Sequence, residues 1–131
     1  MGTGERPVQL RVAVVAGFIV VAGGSLAHGQ GVAADGEALF KKNCAVCHTT
    51  EAGKNKIGPS LNGIVARHSA SLPDFQYSDA MKKADKVWDE KTLDAYLANP
   101  RALVPGTKMI FVGLKNDADR QNVIAYLNTQ K

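Results

Sequence analysis

Cysteine is almost absent from this 131-residue sequence: there are two, Cys44 and Cys47, so no framework of disulfides can staple the chain. Aromatic residues are scarce too, at 6% with one tryptophan, Trp88, which leaves few large side chains for a core. Neither sign of charge dominates. The 16 Lys and Arg against 12 Asp and Glu give a net charge of +4, a mild excess that suits acidic partners but is too small to argue for nucleic acid. No apolar run approaches the roughly 20 residues needed to cross a hydrocarbon core. There is no internal repeat, and no alternating pair of strands long enough to build a sheet. The length fits one domain, and 45% hydrophobic with 21% charged residues excludes wholesale disorder and fibrous repeats.

The first residues read as a targeting segment. Arg6 and Arg11 precede the apolar run Val12 to Ala22, and small residues follow at Ser25 and Ala27. That order is a secretory signal peptide over residues 1–27 with cleavage after Ala27, and it implies export to the periplasm. Once it is removed, no stable membrane insertion is expected. An uncleaved anchor with a Gly-rich tether is the alternative. Residues 28–34 are then an N-terminal tail and 35–131 the domain.

Within the domain the pattern is all-α, with short helices and long loops. Asp35 is placed to cap a first helix through Gly36, Leu39 and Phe40 toward Asn43. Glu51 to Pro73, punctuated at Gly53, Gly58, Pro59 and Gly63, reads as structured loop. A short helix is expected over Ser78 to Ala84. Asp89 caps another through Leu93, Tyr96 and Leu97 that stops at Asn99-Pro100. After a turn at Pro105-Gly106 comes an extended Met109 to Val112, and Asp117 opens a last helix with the apolar stripe Val123, Ile124, Tyr126 and Leu127. Helices this short enclose little, so something other than side chains should fill the core.

Cys44-Ala45-Val46-Cys47-His48 is the C-x-x-C-H pattern of covalent c-type haem attachment. Two thiols three residues apart at a helix end can add to the two haem vinyl groups, and the adjacent imidazole then lies beneath the iron. A redox dithiol would want a βαβ setting, and a zinc site a second Cys or His pair; His28 and His68 are isolated. A structural disulfide is the other alternative. Of the methionines, Met1 leaves with the signal, Met81 falls in the short helix and reads as core filler, and Met109 sits in a Pro-Gly-punctuated loop where its thioether can serve as a sixth ligand.

From about Asp35 to Leu127 the chain resembles the class I c-type cytochromes, of the mitochondrial cytochrome c and bacterial cytochrome c2 type. Besides the cysteine motif, the runs Gly58-Pro59-Ser60-Leu61-Asn62-Gly63, Asn99-Pro100 and Pro105-Gly106-Thr107-Lys108-Met109-Ile110-Phe111 carry the resemblance. It implies the cytochrome c fold around one haem c held through Cys44 and Cys47. His48 and Met109 would be the axial ligands, with Gly36 and Phe40 packed on Val123 and Tyr126. It further implies that the Pro59 carbonyl orients His48, that Arg67, Tyr77 and Trp88 lie near the propionates, and that Tyr96 and Thr107 lie beside Met109. One position departs: where the mitochondrial type has a haem-side Asn, this chain has Met81.

The expected function is a soluble, monomeric periplasmic electron carrier and not an enzyme. It would pass single electrons from a mid-potential donor to a high-potential acceptor such as a terminal oxidase, reaction centre or reductase. Lys41, Lys42, Lys108 and Lys115 fall by resemblance near the exposed haem edge, where they would dock acidic patches on redox complexes. The alternative is a dedicated haem subunit of one dehydrogenase or oxidase complex.

Overall fold

The structure, a computed structural model, describes residues 1, 2, 4 and 31–131. Apart from those first positions, the expected signal segment and its cleavage point lie outside the described residues. Among the described residues five helices follow in order: α1 (Ala33–Asn43), α2 (Asp79–Lys83), α3 (Glu90–Ala98), α4 (Pro100–Leu103) and α5 (Asp117–Asn128). Among the described residues no strand forms, and β pairing is limited to an isolated bridge between His68 and Val87. The fold is all-α, with loops longer than helices. No helix among the described residues is long and apolar enough to cross a membrane.

The caps explain most helix ends and correct two expectations. α1 starts at Ala33, so Asp35 lies within the first turn and is not the cap; its carboxylate there favours the positive end of the helix dipole. The N-cap is Val32, which has no capping side chain. Its N–H instead donates to Asn122 Oδ1 on α5 at 2.7 Å, so a tertiary contact sets where α1 begins. Asp89 caps α3 as expected, accepting from Thr92 N at 2.7 Å, and Ser78, expected as the first residue of α2, is its cap, accepting from Met81 N at 3.1 Å. Asn99-Pro100 does not simply stop α3. Asn99 leaves the helix with φ −159° and its side chain accepts from Ala102 N at 3.3 Å, so it caps α4, where Pro100 occupies the first turn. Asn116 caps α5 in the same way, accepting from Asp119 N at 3.1 Å.

The core collects Phe40 from α1, Leu93, Tyr96 and Leu97 from α3, and Val123, Ile124 and Leu127 from α5, joined by Ile64, Trp88 and Val104 from the loops. α1 and α5 cross at backbone contact. Gly36 is buried there, and a Cβ on it would collide with the Asn122 carbonyl and stand 2.8 Å from Tyr126 Cβ. One turn on, the rings of Phe40 and Tyr126 meet at 5.4 Å between centroids. Packing of α5 on α3 completes the frame, whereas α2 packs on no other helix among the described residues. The long loop is held by its own polar groups: Ser60 Oγ donates to Glu51 O at 2.5 Å, Asn62 Nδ2 to Thr50 O at 3.1 Å, and Gly63 N to Gln130 O at 2.6 Å.

Candidate functional site

The cysteine motif is the turn that closes α1. Cys44 is the C-cap and its N–H donates to Phe40 O at 2.8 Å; Cys47 N and His48 N then both donate to Cys44 O, at 3.0 and 2.9 Å. Both thiols are free and partly buried, and the chain between them turns Val46 out to solvent. Burial, with Cys47 adding to it, pushes the Cys44 thiol up to about 11. A reactive dithiol needs the opposite shift, so the free chain holds Cys44 as a neutral thiol. Among the described residues, no three His, Cys, Asp and Glu side chains gather as a metal-holding group, which leaves a zinc site without ligands.

His48 is fixed from two directions. Its Nδ1–H donates to the Pro59 carbonyl at 2.7 Å, and Gly58, whose N–H donates to Cys47 O at 2.8 Å, lies flat against the ring. A Cβ at Gly58 would collide with the imidazole, standing 2.7 Å from Nδ1. Burial lowers the pKa of the ring; the Pro59 bond opposes this and the Arg67 charge adds to it. The ring is therefore neutral, and with Nδ1 as donor its Nε2 presents a lone pair to a metal.

Met109 is reached through Thr107 and Tyr96. Gly106, at φ +87°, makes the turn after α4, and Thr107 Oγ1 accepts from Met109 N at 3.3 Å while sharing a hydrogen bond with the Tyr96 hydroxyl at 3.0 Å. Tyr96 is buried on α3, and burial raises its pKa against the pull of Thr107. Met109 is partly buried against the core, and so are Phe111 and Met81. Met81 lies in α2, its N–H donating to the Ser78 cap at 3.1 Å and its side chain packed against the core, a setting that fits packing.

Arg67, Tyr77 and Trp88 form a second group. Arg67 Nη1 donates to Asn62 O at 3.0 Å and Nη2 to Ser60 O at 2.9 Å, while no carboxylate among the described residues pairs with it. Burial lowers its pKa, and the charge of an ionised Tyr77 opposes that. Trp88 N donates to Arg67 O at 2.9 Å, and the Trp88 ring meets the Tyr96 ring at 4.9 Å, which links this group to the Met109 group. Tyr77 also packs edge-on to Phe75 at 4.9 Å. Arg67 borders a cavity of about 130 Å³ lined also by Ser60, Asn62 and Asp74.

This donor set fits a haem: two thiols on one turn with an adjacent neutral imidazole, a thioether partly buried against the apolar core, and a half-buried guanidinium with no carboxylate partner among the described residues. The sequence did not expose who holds Arg67. Ser60 and Asn62 do so through backbone carbonyls, which carry no residue signature beyond the dense Gly-Pro-Ser-Asn run. Among the lysines, Lys41 pairs with Glu37 at 2.6 Å, and Lys115 Nζ donates to the carbonyls of Ala98 and Val112, both at 3.0 Å. Lys56, passed over in the sequence, folds its Nζ onto Ala45 O at 2.7 Å inside the cysteine turn.

The family model described as cytochrome c matches residues 33–131. The cytochrome c2 of Rhodomicrobium vannielii is 48% identical over 122 residues, covering 92% of this chain and 95% of that protein. The cytochrome c of Kluyveromyces lactis is 46% identical over 70% of this chain and 84% of its own length. A cytochrome c-type protein of Rhodobacter capsulatus, cyt cy, is 54% identical over 76% of this chain, which spans 49% of that longer protein.

Proposed function

The chain belongs to the cytochrome c family, an electron carrier with haem c attached through Cys44 and Cys47, and from that premise we propose that it works as a periplasmic shuttle. Its donor would be a mid-potential complex, and its acceptor a terminal oxidase, reaction centre or reductase with an acidic docking patch. His48 and Met109 are the axial ligands in this reading. The bound haem supplies one-electron chemistry at its iron, and a thioether opposite an imidazole favours the ferrous state.

The single observation that carries the reading is that both ligand-bearing segments are locked in advance. His48 cannot turn without losing Pro59 and striking Gly58, and the Met109 segment is held through Thr107 to the buried Tyr96. Ligands fixed in this way need not move when the iron changes charge, which suits transfer more than reaction. Around them, Val46, Ile57, Ile110 and Val112 are 76%, 79%, 93% and 84% exposed. These apolar tips beside Lys42 and Lys108 would make a small docking face that releases its partner quickly. Arg67, with Tyr77 and Trp88, would neutralise the haem carboxylates.

The test is a redox-difference spectrum of the periplasmic fraction together with the near-infrared methionine-to-iron band of the purified ferric protein. Met109→Ala is expected to abolish that band and lower the potential, and Met81→Ala to keep it. The reverse pattern, or a haem protein confined to the membrane or to one co-purifying complex, would overturn the reading.

A further inference from the structure

The segment that follows Met109 is tied to the end of α3 by three contacts. Leu114 N donates to Leu97 O at 2.8 Å. Lys115 Nζ donates to Ala98 O and Val112 O, both at 3.0 Å. Between them Gly113, at φ +98°, lies so close that a Cβ would collide with Ala98 O and stand 3.0 Å from Leu97 O. Behind this seam lies Arg120 of α5, only 8% exposed. Its Nη1 donates to Leu114 O at 2.9 Å and Lys115 O at 3.3 Å, its Nε to Asp94 Oδ1 on α3 at 2.8 Å, and its Nη2 to Asp117 Oδ1 at 2.5 Å. Gln121 Nε2 adds a bond to the same Asp94 oxygen at 3.2 Å. One planar guanidinium thus joins α3, α5 and the backbone that leads from Met109.

We propose that Arg120 is a positioning residue for the methionine ligand: it clamps residues 112–115 to α3 and so sets how readily Met109 leaves the iron, with Lys115 as the outer half of the same latch. The proposal rests on Met109 being the axial ligand. Residues 104–116 have no helix or strand of their own, so beyond the core packing of Met109, Phe111 and Leu114 their hold comes from two hydrogen-bonded anchors. The anchor before Met109 is the neutral Thr107–Tyr96 pair; the anchor after it is charge-assisted and several bonds deep, centred on a guanidinium that is itself buried although Asp117 and Lys115 are open to solvent. Bonds of the second kind are the stronger, and removal of Arg120 leaves the part-buried Leu114 and Lys115 carbonyls without that donor. Opening of the segment is therefore governed from the Arg120 side.

Imidazole binding to the ferric holoprotein reads that opening, because imidazole can occupy the iron only where Met109 has left. A lysine at position 120 keeps the charge but cannot reach Asp94, Asp117 and two carbonyls at once. Arg120→Lys is expected to raise imidazole affinity about tenfold, the size of one lost charge-assisted hydrogen bond. Lys115→Met should raise it by a smaller factor. Val123→Ala, which loosens the α1–α5 contact without touching the segment, is the control for global destabilisation and should leave the affinity as it was. An Arg120→Lys affinity no higher than that of Val123→Ala overturns the proposal. If Arg120→Lys does not accumulate folded, Asp94→Asn takes its place. Faster exchange of the Leu114 amide together with tighter imidazole binding supports the latch, and no change in either overturns it. A Met109→Ala protein that keeps the near-infrared band would instead strike down the ligand assignment beneath it.

Discussion

Gly36 on α1 faces the Asn122 carbonyl of α5 at a distance that leaves no room for a β-carbon. That crossing does more than close the core. α1 ends in the turn that bears Cys44, Cys47 and His48, so the line of α1 across α5 aims the cysteine motif. Gly36→Ala must push the helices apart, at a cost on the order of 3 kcal/mol. Denaturant titration of the holoprotein should show a lower midpoint, with the near-infrared band intact in the molecules that remain folded. An unchanged midpoint would mean that the contact yields freely.

Removal of the haem should dismantle the molecule unevenly. α5 packs on both α1 and α3, but among the described residues α2 meets no helix, and residues 44–78 depend on loop hydrogen bonds, on Ile64 in the core and on the partly buried shell of Leu61, Val65 and Met81. A Cys44→Ser/Cys47→Ser chain, which cannot attach haem, is expected to lose its cooperative thermal transition and most near-ultraviolet circular dichroism from Trp88. A melting curve like that of the holoprotein would contradict this.

Lysines that appear equivalent in the sequence should behave differently in electron transfer. Lys108 is exposed with no recorded partner among the described residues, whereas the Lys115 amine is bound to two carbonyls. Transfer to a negatively charged partner should slow with ionic strength, and Lys108→Glu should mimic high salt without loss of thermal stability. Lys115→Glu should lower both the rate and the melting temperature. Stopped-flow rates beside thermal melts decide it; salt-independent rates would exclude electrostatic docking.

The Asp89 cap gives a pH dependence of known sign. Bonds from the Thr92 backbone N–H and side chain hold its carboxyl below the ordinary value of 3.8. A carboxylate depressed in the folded state adds stability above that ordinary value and loses it as pH falls through the lower, folded one. Asp89→Asn retains a capping oxygen without the charge, so the acid limb of the stability curve should flatten while neutral-pH stability changes little. Identical acid limbs in the two proteins would show that this cap does not contribute.

Much of the site was legible because its chemistry is local. Cys44, Cys47 and His48 fall on one turn, and Thr107 lies two residues from Met109, so spacing alone brings them together. The caps at Ser78, Asp89 and Asn116 are local too, and of these Asp89 was readable as a cap. What escaped depends on distant or backbone partners. The start of α1 is fixed by Asn122, 90 residues away. Asn99 looked like a terminator because a Pro follows it, yet the same pair opens α4. Arg67 donates to two carbonyls and Arg120 to two more, beside its bonds to Asp94 and Asp117; carbonyls belong to every residue, so no pattern of side chains announces those contacts.

Ala66 offers a stabilising change next to the site. It adopts φ +69°, the left-handed region, while its N–H donates to Trp88 O at 2.9 Å and Arg67 follows it. An L-residue there is strained by about 1–2 kcal/mol, and glycine relieves this at an unfolded-state entropy cost of roughly 0.5–1 kcal/mol. Ala66→Gly should therefore gain about 0.5–1 kcal/mol with the potential unchanged, since the backbone that aims Arg67 keeps its course. Ala66→Pro forces φ to the negative side and deletes the N–H, so it should lose stability and displace Arg67. Denaturant midpoints and potentiometry of the pair test both halves: a destabilised Ala66→Gly protein would show that the left-handed turn is not strained, and an unshifted potential in folded Ala66→Pro would show that Arg67 does not depend on it.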